Sequence, residues 1–151
     1  MGLINNLDQP AVEAAPGVLR RGIVGRDTGS DSLTTSYVTI ASGATTPVHW
    51  HQVEEAMFLC QGEGLAILGD ETFPTKAPAT LLAPPGVKHG FINNSSAPMV
   101  VSGNFPALDV ETKTETNTVL AGSYASIGGM CWPRPPALVS AEHDTRRGLI
   151  Q

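Results

Sequence analysis

The chain has 151 residues, 41% of them hydrophobic and 15% charged, with 16 Gly and 12 Pro. That is enough for one domain with a real core, too little for a second catalytic domain, and too apolar for global disorder. A net charge of −5 with no basic run argues against nucleic acid and anionic membrane surfaces as partners, and no stretch approaches the ~20 apolar residues of a membrane span.

Residues 1–32 read as an amino-terminal arm, because Asn, Asp, Pro and Gly recur between short apolar pieces at 17–19 and 22–24 that could add edge strands. Its first sixteen residues lack the basic and apolar regions of a secretory leader, so a cytoplasmic protein is expected. From 33 to 106 strand signals follow in quick succession, at 34–41, 56–60, 64–68, 80–83, 90–92 and 99–102. Turn residues at 62–64, 69–71 and 93–98 separate them. Many short, evenly spaced strands predict an all-β sandwich or small barrel.

The remainder, 107–151, changes character. Residues 111–118 are polar and low in complexity, which predicts a loop or exposed segment. Residues 136–147 could form a short helix carrying His143 as a solvated side chain. The extension would pack on the barrel, cover its mouth or embrace a partner subunit. Cys60 and Cys131 are expected as free thiols in a reducing compartment, Cys60 as a small buried apolar residue or an interface residue.

The chemistry concentrates in two places. His49 and His51 flank one residue, Glu55 follows, and His89 stands in a separate Pro-Gly setting. Side chains two apart on a strand share a face, so both first histidines can enter one cavity. Parity favours Glu55 over Glu54 as the carboxylate, since Glu55 shares a strand face with Met57 and Leu59. Imidazole nitrogens with one carboxylate suit a transition metal without dictating which.

These residues resemble the two cupin motifs. Gly43, His49, His51, Glu55 and Gly62 match every fixed position of the first. Pro84, Gly86, His89 and Asn93 match the second, where Pro78 replaces the leading Gly. The resemblance implies a jelly-roll barrel and one divalent ion (Fe, Mn, Ni, Zn or Cu) on His49, His51, Glu55 and His89. It also implies a homodimer formed through sheet edges, for which an outward-facing Phe58 would be suited.

Residues 33–105 contain no Arg, and their only Lys are Lys76 and Lys88. Phosphate and nucleotide-sugar substrates want such cations, so they are disfavoured unless Arg20, Arg21 or Arg26 reaches the cavity. Met57, Leu59 and Phe91 would give apolar walls, while Tyr37 and Thr39 are the nearest hydroxyls able to hydrogen-bond near the ion. Trp50 is expected to pack outside the barrel. The substrate expected is small and neutral or enolisable, and an Fe(II)-type dioxygenase is favoured. The alternatives are a lyase, isomerase or decarboxylase using the ion as Lewis acid, with Glu55 or a water moving the proton, and a cupin that senses or stores a small molecule.

Overall fold

A computed structural model describes residues 2–114. Among these residues eleven strands are arranged in two antiparallel sheets that enclose the core, the jelly-roll barrel that the motif resemblance implies. The strands are β1 (Ala11–Ala15), β2 (Val18–Val24), β3 (Thr34–Ile40), β4 (His49–Trp50), β5 (Glu55–Gln61), β6 (Glu63–Leu68), β7 (Glu71–Lys76), β8 (Ala79–Ala83), β9 (His89–Ile92), β10 (Met99–Phe105) and β11 (Lys113–Thr114). One sheet runs β1-β2-β3-β10-β5-β8 and the other β11-β4-β9-β6-β7.

Alternation builds the core. On β5, Glu55, Met57 and Leu59 point inward and are 5%, 3% and 2% exposed, while Phe58 between them is 46% exposed. Ile40 and Met99 face each other across β3 and β10 and are fully buried, each contributing about 2 kcal/mol of apolar burial. Val18, Ala66, Ala83, Phe91 and Val101 complete the same cluster.

Several segments differ from the sequence reading. The arm, read as able to add edge strands, supplies the edge strand β1 and its neighbour β2, and Val18 and Ile23 on β2 are buried. Strand β7 was not anticipated, because five of its six residues are exposed and Pro74 interrupts its pattern. An edge position tolerates both features. Lys113 and Thr114, expected in a loop, pair with Trp50 and His49. Cys60 is exposed rather than buried, since it takes the outward face of β5. The proposed terminal helix, His143 and Cys131 lie outside the described residues.

The two motifs are tied to each other by main chain. Gly43 N–H donates to the Asn93 carbonyl at 2.8 Å, and Gly86 N–H donates to the His51 carbonyl at 2.7 Å. Gly86 turns with φ 77°, a left-handed conformation that glycine adopts without steric cost. Asn93 is fully buried and donates to the carbonyls of Ile40 and Ala97. The turn bearing Pro78 has a cis Ala77–Pro78 peptide, and Ala77 N–H donates to the Gly62 carbonyl.

Candidate metal centre

Three strands deliver four side chains to one point. His49 on β4 is the cross-strand partner of His89, the first residue of β9. His51 follows β4 directly, and Glu55 opens β5. His51, Glu55 and His89 are buried, His49 is half-buried, and Glu54 is exposed. The candidate donor atoms of the four residues lie within 4.8 Å of one another. Ligands at about 2.1 Å from an octahedral ion stand about 3 Å apart when adjacent and about 4 Å when opposite. Glu55 Oε2 lies 2.8 Å from His89 Nε2, 3.3 Å from His51 Nε2 and 4.0 Å from His49 Nε2, which matches that scale.

Each imidazole is oriented by the main chain. Nδ1 of His49 is 2.8 Å from the Pro47 carbonyl, that of His51 is 2.9 Å from the Glu111 carbonyl, and that of His89 is 2.8 Å from the Val87 carbonyl. A carbonyl only accepts, so each Nδ1 carries the proton and a neutral ring turns its Nε2 lone pair inward. Phe105 packs edge-on against His51, with ring centroids 4.8 Å apart.

This leaves three lone pairs and a carboxylate aimed at one another, which is unfavourable unless positive charge lies between them. His51 Nε2 is buried and has no hydrogen-bond partner. A divalent ion satisfies that orphaned atom and removes the repulsion, so the donor set fits a metal.

The electrostatics follow from the same contacts. Burial works against charge on Glu55, yet the neighbouring His51 and His89 outweigh it and hold the carboxyl at about 2. Burial pushes the His49 imidazole down. Burial also opposes charge on His51, but Glu55 and the Glu111 carbonyl raise it above its usual value.

His49, His51 and Glu55 line a cavity of about 630 Å³. Met57 and Phe91 line it. Leu59 does not; it sits in the core beside a smaller cavity of about 260 Å³ that shares Met57 and Phe91 with the first. Tyr37 and Thr39 do not line it either. Ser36, Val38 and Ile40 on β3 face the cavity, so strand alternation turns Tyr37 and Thr39 to the opposite side. The apolar residues at even positions, Val38 and Ile40, carried that signal in the sequence.

Val101, Gly103 and Phe105 on β10, which the sequence reading did not single out, also line the cavity. Of the three arginines named as able to reach it, Arg20 on β2 and Arg26 beyond it do so, because pairing of β2 with β3 brings the amino-terminal segment onto the cavity. Residues Leu108 to Val110, Thr112 and Thr114 run along it as well, so the start of the extension contributes to its wall. Trp50 lies beneath Lys88, whose Nζ is 5.9 Å from the ring centroid.

A family model described as Cupin domain matches residues 36–111, just over half of the chain. No curated protein matches. Among solved structures, the polyketide cyclase RemF from Streptomyces resistomycificus is similar at 18% identity, covering 79% of this chain and 88% of that one, with a TM-score of 0.68. A Bacillus subtilis oxalate decarboxylase, OxdC, is similar at 19% identity over 73% of this chain, with a TM-score of 0.65; the match spans 31% of that longer protein. KdgF from Halomonas sp. is similar at 19% identity, covering 72% of this chain and 96% of that one, with a TM-score of 0.61. Among the described residues, no helix is long and apolar enough to cross a membrane.

Proposed function

The chain belongs to the cupin family, and we propose from that premise that it is a metal-dependent enzyme acting on an enolisable carbonyl compound. The observation that carries this reading is the convergence of three Nε2 atoms and one carboxylate on a cavity with largely aliphatic and aromatic walls. A cavity of about 630 Å³ is of the size that holds a molecule of several rings.

His49, His51, Glu55 and His89 would hold the ion. When bound, it supplies Lewis acidity towards a carbonyl or, if redox-active, electrons to dioxygen. The protein's own part is to orient and desolvate. Val38, Ile40, Met57 and Phe91 exclude water from the apolar body of the substrate. Glu55 is held ionised, which suits it to ligate the ion; a carboxyl held at about 2 is a weak base towards a carbon-bound proton. Glu55 Oε1 lies over Gly103, and Ser36 Oγ lies near the same glycine.

Non-redox carbonyl chemistry is the preferred form of this reading. One similar structure, covering 79% of this chain, is named a cyclase, and another, covering 73%, a decarboxylase. Oxidative cleavage by a dioxygenase is a second reading, favoured by the donor count: four ligands leave two positions on a six-coordinate ion.

Anaerobically purified protein should contain one transition-metal ion per chain. Given a panel of aromatic 1,3-dicarbonyl compounds, it should turn over some of them without consuming oxygen. Oxygen uptake matching turnover would select the dioxygenase reading. Tight binding without turnover by any metal form would reject enzymatic function.

A further inference from the structure

Arg20 is a cation on the inward side of a barrel strand. It pairs with Val38 across β2 and β3, and both line the cavity that His49, His51 and Glu55 also line. A guanidinium is always charged and presents five donors, so at the edge of an apolar cavity it requires an anion or water. Among the described residues, no hydrogen bond or ion pair engages it.

The other charged groups on the cavity are engaged with one another. Arg26 forms an ion pair with Asp109 at 2.5 Å and also feels Asp27. Glu55 is shared among the three histidines. Asp27 and Asp109 therefore gather around Arg26, not Arg20.

We propose that Arg20 is a specificity-determining residue that binds a carboxylate on the substrate, while the enolisable carbonyl of the same molecule lies at His49, His51, Glu55 and His89. The substrate class is thus a carbonyl compound with an apolar, ring-sized body and one carboxylate at the end remote from the reacting carbon. This rests on the proposed function and replaces the neutral substrate expected from the sequence. A planar fork facing a planar carboxylate makes two parallel hydrogen bonds, which would fix the molecule's direction in the cavity as well as its affinity.

The test is calorimetric binding of 2-naphthoate and of its uncharged methyl ester to the full-length, metal-loaded protein. Wild type should bind the acid about tenfold or more tightly than the ester. Arg20→Gln should remove that difference, leave ester affinity within about twofold, and retain the wild-type metal content; Arg20→Lys should restore part of the preference. His51→Ala separates the two ideas, because a carboxylate held by the metal loses its preference there and keeps it in Arg20→Gln. That pattern overturns the role of Arg20. Absence of any acid preference in wild type, or of measurable binding of the acid, overturns it as well. If His51→Ala keeps its metal while Arg20→Gln abolishes the acid preference, the metal reading fails and the anion site stands.

Discussion

Gly103 keeps open the space that the Glu55 carboxylate occupies. A Cβ on Gly103 would overlap Glu55 Oε1 and lie 3.0 Å from Ser36 Oγ. Gly103 sits in the middle of β10, opposite Ser36 on β3 and Met57 on β5, where strand propensity alone would favour a larger residue. Its lack of a side chain is therefore required by the carboxylate. Gly103→Ala should push Glu55 out of its position and lower metal affinity by about tenfold or more, with about 1–3 kcal/mol of overpacking cost. Competition with a chelator and thermal melting read the two effects. Unchanged metal affinity in a folded variant would show that Glu55 does not need this space.

His51→Ala removes the ligand whose Nε2 has no other partner. It also breaks the contact between the imidazole and the Glu111 carbonyl, which ties the centre to the start of the extension. Metal affinity should fall by about a hundredfold or more, at or beyond the upper end of what is lost when only a ligand's hydrogen-bond partner is removed. Elemental analysis after dialysis measures it. Full occupancy in this variant would remove His51 from the ligand set.

How much of this was readable depends on whether a residue's position is set by local alternation or by distant pairing. Glu55, Met57 and Leu59 were placed correctly relative to one another because β5 alternates without interruption. The same rule on β3 puts Ser36, Val38 and Ile40 on the cavity and the hydroxyl-bearing Tyr37 and Thr39 on the other face. Arg20 was beyond local reasoning: its direction depends on the register of β2 against β3, which spans the irregular residues 25–33. Lys113 and Thr114 look like loop residues because their pairing partner, β4, is only two residues long and more than sixty positions away. Gly103 carried no visible signal, since its function is the absence of atoms beside a carboxylate from another strand.

Asn93 separates the structural part of the second motif from its ligand. It is fully buried and donates to two carbonyls, while its Oδ1 accepts from the N–H and hydroxyl of Ser95. Asn93→Ala leaves the Ile40 carbonyl without this donor inside the core, at a cost of about 2–4 kcal/mol. Denaturant unfolding should show that loss, while metal stoichiometry at low temperature stays at the wild-type value. Loss of metal from a fully folded Asn93→Ala protein would contradict the assignment of Asn93 as purely structural.

Acid should release the metal through the histidines and not through the carboxylate. A protonated imidazole has no lone pair to give, and His51 holds its proton to a pH above the usual 6.5 despite its burial, because Glu55 and the Glu111 carbonyl favour the charged ring. Glu55 stays ionised down to about 2. Metal affinity should therefore rise steadily between about pH 5 and pH 8 as bound protons are displaced. The metal-free chain has the opposite dependence where His51 controls it. A raised folded value for His51 gives stability that is complete below 6.5 and lost as pH climbs through that folded value. A depressed value for Glu55 gives stability present above 4.5 and lost as pH falls towards about 2. His49 acts against this pair below 6.5, since burial lowers its affinity for a proton. Chelator competition and melting of metal-free protein across the same pH series distinguish the two dependences. A metal affinity that stays flat over that range would mean that the imidazoles are not the groups competing with protons for the ion.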